Sequence, residues 1–249
     1  MMVRVTLLSY TMPLIGNDPR RLVVLGVKVS SGKLHERDWK HYLTTYPEHD
    51  VHQHVVSASK YPTLFEHIVF TFLIEDISRV CSHQLVRHRI ASYVQESQRY
   101  SEGYVKRVIE CLEHYGYKKL EEALNALNQD HSNVMNCLER GFVFPRTIRS
   151  NTIALKGYVE QLLKAVYIYR DLVSKGVPLE DSRYVLPQAV KTRIMMTVNL
   201  RELIHIACLR MRMEAQWEIR EVVRQMIEEV KRVVPEIEEL VNRMCSNKV

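Results

Sequence analysis

Between Arg87 and Tyr100, three cationic or protonatable side chains, Arg87, His88 and Arg89, stand side by side; Ser97 follows after seven intervening residues, and Arg99 two positions later. Guanidinium groups beside a hydroxyl and the amides of Gln95 and Gln98 are what a site needs to hold phosphate and a polar heterocycle at once. The forked donors match phosphate oxygens in pairs, and the amides offer directional contacts to a ring edge. An Arg-His-Arg run by itself is more often a solvated helix face. Joined to Ser97 and Arg99, it is hard to explain as packing.

Something rigid must carry these groups. Ile68 to Ile74 is β-branched and aromatic and reads as a buried strand, and Asp76 to His88 reads as a helix, with Ile77, Val80, Cys81 and Leu85 spaced for one face. That helix delivers Arg87, His88 and Arg89 at its C-terminal end. Val3 to Ser9 and Leu22 to Ser30 are rich in Val and Leu and read as strands of one sheet, separated by a loop at Ile15 to Pro19. Lys106 to Leu138 is helix-like and broken by Gly116, and Phe142 to Asn151 is a connector. Lys156 to Lys175 is a helix with the expected stop at Gly176 and Pro178. A strand at Thr192 to Val198 leads into Asn199, a good N-cap residue, before helices at Leu200 to Met213 and Ala215 to Val233. The fold class is α+β, a mixed sheet with long packed helices, in one domain over residues 1–249.

Composition narrows the partners. Apolar residues make up 46% and charged residues 26%, which places the chain among soluble globular proteins. A net charge of +6 suits an anionic small molecule or nucleic acid without choosing between them. No apolar run approaches the roughly 18 residues a membrane span needs, and the N-terminus carries no long apolar leader, so a cytoplasmic location without membrane contact is expected. Five scattered cysteines with no C-x-x-C pair suggest neither a disulfide framework nor a thiolate zinc site. Cys81 and Cys208, among apolar neighbours, read as packing residues. His49, His52 and His54 match no closed zinc spacing and read as a solvated loop, so no metal site is expected.

Two separated blocks resemble the flavin-dependent thymidylate synthases. The first runs from Pro62 to Tyr100 and holds Phe65-Glu66-His67, Ser82-His83-Gln84-Leu85-Val86, the Arg87-His88-Arg89 signature and Ser97-Gln98-Arg99-Tyr100. The second runs from Asp181 to Arg220 and holds Arg183-Tyr184-Val185-Leu186-Pro187, Asn199-Leu200-Arg201-Glu202-Leu203, Leu209-Arg210 and Ala215-Gln216-Trp217-Glu218-Ile219-Arg220. Two blocks in the right order are far more specific than one short pattern. The segment at about 104–150 matches poorly, and Val94 stands where many members carry a polar residue.

The resemblance implies reductive methylation of dUMP to dTMP, with 5,10-methylenetetrahydrofolate as carbon donor, NADPH as hydride source and FAD as relay. It also implies a homotetramer whose active sites combine several subunits, and no enzyme nucleophile. Thr63, Arg87, His88, Arg89, Gln95, Asn199, Arg201 and His205 are then the FAD contacts. Arg201 and His205, at i and i+4, project together. Arg99 and Arg183 take the nucleotide phosphate with Ser97, while Gln84, Arg87, Gln95, Glu96 and Gln98 contact the nucleotide or bridge the two ligands. Arg210 faces the pyrimidine as the catalytic cation. Two other readings stay open: a flavoprotein that binds FAD and nucleotide without synthase activity, and a basic nucleic-acid-binding protein.

Overall fold

The computed structural model describes residues 3–129 and 131–246. The chain begins with strand β1 (Arg4–Tyr10) and helices α1 (Arg21–Ser30), α2 (Trp39–Thr44) and α3 (Glu48–Ser57). Strand β2 (Val69–Ser78), helix α4 (Arg79–Leu85) and strand β3 (Ala91–Gln95) follow. Next come α5 (Gly103–His114), α6 (Leu120–Gln129), α7 (His131–Leu138), α8 (Arg146–Arg149), α9 (Thr152–Ser174) and α10 (Leu179–Ser182). Strand β4 (Lys191–Asn199) leads into α11 (Leu200–Arg210), α12 (Trp217–Lys231) and α13 (Ile237–Ser246). The α+β class is as expected; the four strands, in the order β1-β2-β4-β3, are antiparallel where a mixed sheet was expected. Among the described residues, no helix is long and apolar enough to cross a membrane.

The chain divides into two compact units. One comprises Val3–Ile74, Gln84–Val94 and the chain from Met195 onward. Its part of β2 alternates inward and outward, and Phe70, Phe72 and Ile74 are fully buried, as the period of two requires. Edge strand β1 packs on α12, where the Gln225 side chain accepts from the Val5 N–H and donates to the Val3 carbonyl, both at 3.1 Å. These bonds satisfy part of an open sheet edge.

The expected strand at Leu22 to Ser30 is instead helix α1. Its buried residues are the consecutive pair Val23 and Val24, a helical stripe rather than an alternation. The Asp18 carboxylate accepts from the Arg20 N–H at 2.9 Å and starts the turn. Gly26 lets the helix approach Leu64, since a Cβ there would meet the Leu64 side chain at 2.9 Å. Packing on one face has overridden the strand preference of Val. The three histidines also lie on a helix, α3, rather than in a loop. His52 pairs with Glu236 at 3.0 Å, His49 with Gln53 at 2.8 Å, and His54 with the Asp50 carbonyl at 2.7 Å.

The helix expected from Asp76 starts only at Arg79, because β2 continues to Ser78. Asp76 sits at φ 60°, a left-handed conformation in which Asp is among the better tolerated residues. Strand β3, in the middle of the matched signature, was not expected. Asn199 caps α11 as expected, its side chain accepting from the Glu202 N–H at 2.8 Å. Asn199→Ala is expected to cost about 1 kcal/mol, about 2–4 °C in Tm for a chain of this size. An unchanged melting curve would deny the cap that role.

The other unit comprises Glu75–His83 and Gln95–Ile194. Its core is helical: Val108 and Leu112 of α5, Leu127 of α6, Leu138 of α7 and Leu162 and Val166 of α9 share one apolar cluster. This is the segment that Gly116 and the connector at Phe142 to Asn151 were expected to punctuate; residue 130 lies outside the described residues. Two disulfides correct the cysteine reading. Cys111–Cys137 joins α5 to α7 in this unit, and Cys208–Cys245 joins α11 to α13 in the first, leaving buried Cys81 outside both disulfides. Sequence separations of 26 and 37 carry no signature; helix packing alone brings each pair within Cα distances of 5.3 and 5.2 Å.

Candidate active site

Helix α11 supplies most of a cavity of about 380 Å³ in the first unit. Asn199, Arg201, Glu202 and His205 present their side chains to it, joined by Glu66 from the turn before β2. Ile90 and Ile204 are apolar walls, and Cys208 and Met244 complete the lining. Arg201 is ion-paired with Glu66, both exposed, so its charge is oriented at the cavity rim. A mostly apolar recess with a few convergent polar groups is the usual form of a small-molecule site.

Arg87, His88 and Arg89 follow α4 in a turn rather than ending it. The Arg87 and His88 N–H groups donate back to the carbonyls of Gln84 and Leu85 at 3.3 and 3.1 Å. The Tyr93 hydroxyl, at 2.9 Å from the carbonyls of both Leu85 and His88, clamps that turn from β3. Burial and the charge of Glu202 push the Tyr93 phenol up, so it remains a donor. Arg87 and Arg89 point to solvent, whereas His88 is only 6% exposed.

His88 is the hub of this unit's polar groups. Arg210 Nε donates to His88 Nε2 at 3.0 Å, Glu202 lies 3.8 Å from Nδ1, and the His205 ring meets it edge-on at 6.4 Å between centroids. Burial first, then the charges of Arg210 and His205, lowers the imidazole to about 4. It is therefore neutral at pH 7, with Nε2 unprotonated toward Arg210 and the proton on Nδ1 toward Glu202. Because the unfolded chain takes up this proton first, near pH 6.5, stability is full above that value and falls as pH drops toward about 4. The loss is about 1.4 kcal/mol per pH unit at most, about 3 kcal/mol over the window. Denaturant melts of His88→Gln at pH 7 and 4.5 are expected to show a smaller acid loss than the parent. The same loss in both would remove His88 from the effect.

In the other unit, Glu180 draws together two arginines far apart in sequence. Arg99 Nε donates to its carboxylate at 3.0 Å, and Arg183 Nε donates to its backbone carbonyl at 2.9 Å. The Ser97 hydroxyl accepts from the Arg99 N–H at 3.2 Å, fixing the start of that turn. Arg79, which sequence reasoning passed over, belongs to this group. Burial, then the charge of Arg183, lowers its guanidinium pKa, and its Nη2 donates to the Glu96 carbonyl at 2.8 Å. Its place at the first turn of α4, outside the signature, offered no signal. The Gln95 amide donates to Ser82 and Thr192 hydroxyls at 2.9 and 3.3 Å, so its nitrogen is engaged within the protein. Glu96 faces Arg193 at 3.7 Å, and Gln98 borders a small void with Arg79 and Thr192.

The structure thus brings His88, Asn199, Arg201, His205 and Arg210 together in one unit, and Arg99 and Arg183 together in the other. Gln84 is half-buried in the turn before Arg87, and Thr63 is exposed beside the cavity-lining Pro62. Glu66 and Glu202 were missed as site residues, although both lie inside the matched blocks; a carboxylate next to the cationic positions was the available signal.

Comparison with known proteins adds to this geometry. A family model described as thymidylate synthase complementing protein matches residues 6–236. The flavin-dependent thymidylate synthase of Pyrococcus furiosus is 37% identical over 235 residues, covering 92% of this chain and 79% of its own length. That of Aeropyrum pernix is 36% identical over 258 residues, covering 94% and 77%. Among solved structures, Helicobacter pylori thymidylate synthase X with FAD and dUMP superposes with a TM-score of 0.70 at 18% identity, covering 96% of this chain and 99% of that one. A UMP/dUMP methylase from Streptomyces cacaoi bound to 5-Br dUMP gives 0.69 at 19% identity, covering 97% and 95%. At such identities the structural likeness speaks for the fold.

Proposed function

The chain belongs to the family of flavin-dependent thymidylate synthases, and from that premise we propose that it methylates dUMP reductively to dTMP. The observation that carries the reading is the contact between Arg210 and neutral His88 on the helix that also lines the cavity with Asn199, Arg201 and His205. The residues suit FAD: Arg201 offers fixed charge, Asn199 and His205 offer hydrogen bonds to a ring edge, and Ile90 and Ile204 offer apolar walls for a flat ring. When bound, FAD supplies the two-electron relay between reduced nicotinamide and the transferred carbon. The overall reaction converts dUMP, 5,10-methylenetetrahydrofolate, NADPH and a proton to dTMP, tetrahydrofolate and NADP⁺.

Arg99 and Arg183 hold the nucleotide phosphate in this proposal, Glu180 giving up its contacts as the phosphate takes them. Arg210 faces the pyrimidine, where a fixed cation stabilises negative charge and raises electron density at the methyl-accepting carbon. Ser97, Gln84, Glu96 and Gln98 orient the nucleotide, and exposed Arg87 and Arg89 offer charge to FAD. Residues 1–249 act as one functional domain, consistent with a family match that runs through both units. Assembly as a homotetramer with shared sites, the folate co-substrate and a cytoplasmic setting follow from the family. Two disulfides suit a cytoplasm only where its redox poise or thermal adaptation preserves them. No polynucleotide partner is proposed.

Visible absorbance of the purified protein, with FAD added and dUMP titrated, tests the reading. A flavin band retained on desalting and perturbed by the nucleotide is the expected result. Absence of flavin binding in every condition would overturn it.

A further inference from the structure

We propose that the Cys208–Cys245 disulfide is a positioning element of the cofactor cavity, holding the C-terminal half of α13 as one of its walls. The proposal rests on the flavin reading of that cavity. Cys208 lies on α11, three residues after His205 and two before Arg210, is 4% exposed and lines the cavity itself. Across the disulfide is Cys245, and its neighbour Met244 lines the same cavity. One covalent bond thus joins two walls of one recess.

Helix α13 also packs on α11 and α12. It is ten residues long. Its buried residues, Ile237 and Leu240, are both in its first half, whereas Met244 and Cys245 are only half-buried. A ten-residue helix has marginal intrinsic stability, so its second half is held by what it packs on and is bonded to. Opposite it, α11 is anchored by Leu200, Leu203, Ile204, Ile206 and Ala207, all at most 1% exposed. Cutting the bond therefore loosens the second half of α13 rather than α11, and Met244 shifts in the cavity wall.

The cut needs a dithiol. A thiolate of the reductant attacks Sγ of Cys245, the more accessible sulfur, and the Cys208 thiolate leaves. The second thiolate of the reductant then displaces Cys245. The protein disulfide gains two electrons and two protons, and the dithiol ends as its own disulfide.

The test measures FAD dissociation by flavin fluorescence in oxidised protein, dithiothreitol-reduced protein, Cys245→Ser and Met244→Ala, with hydrogen exchange of α13 read alongside. Reduction is expected to raise the FAD dissociation constant about tenfold, the scale of one lost apolar wall contact, and re-oxidation to restore it. Amides in the second half of α13 should exchange faster after reduction while those of α11 do not. Cys245→Ser should match the reduced protein without reductant, which separates this bond from Cys111–Cys137. Met244→Ala should weaken FAD with the disulfide intact. At saturating FAD the KM for dUMP should not change, unlike the result of general unfolding. Equal FAD affinity in oxidised, reduced and Cys245→Ser protein would overturn the proposal alone. Failure of the oxidised protein to bind FAD at all would overturn the flavin reading and the proposal with it.

Discussion

Arg210→Ala is expected to abolish methylation, with kcat lower by roughly 10²–10³-fold or more, while FAD remains bound. The magnitude follows from how the guanidinium is held. Its Nε–H is fixed on His88 Nε2 at 3.0 Å, and His88 is buried and neutral, so one edge of the guanidinium is held by a partner that does not compete for its charge. The Nη groups are then preorganised to meet charge developing on a pyrimidine, which costs no reorganisation at the moment of reaction. Lysine cannot replace it, because an ammonium lacks the fork that bonds His88 and a ligand together. A second readout is independent of turnover. The charge of Arg210 helps to depress His88, so the imidazole should titrate higher in the variant, as NMR would show. Unchanged single-turnover methyl transfer would sink the catalytic role, and loss of bound flavin would move Arg210 to the cofactor instead.

Arg99→Ala is expected to raise the dissociation constant for dUMP about 10- to 100-fold, one charge-assisted bond to phosphate being worth roughly 1.5–3 kcal/mol. Arg183→Ala should behave alike, since Glu180 holds both guanidinium groups. Stability should scarcely change. The Arg99–Glu180 pair is about half exposed on both sides, and such pairs contribute about 0–1 kcal/mol. Calorimetric titration with dUMP, alongside a melting curve, separates these effects. An unchanged dissociation constant would remove Arg99 from the phosphate site, and a large fall in Tm would make its role structural.

Local chemistry was legible in the chain wherever neighbours in sequence suffice. The Asn199 cap, strand β1, the long helix α9 and the pairing of Arg201 with His205 on one helix face all depend on spacing along a single element. The Arg-His-Arg signature and the second block could likewise be read as chemistry before any packing was known. Tertiary structure decided the rest, because the energies involved come from partners distant in sequence. Leu22 to Ser30 became a helix when Val23, Val24 and Gly26 found a surface to pack on. Cys208 met Cys245, and Cys111 met Cys137, only through helix packing. Within the signature, burial and Arg210, 122 positions away, made His88 a neutral acceptor while Arg87 and Arg89 stayed in solvent. Residue types can name the groups available for chemistry, but a protonation state depends on desolvation and nearby charge, which exist only once the chain has folded.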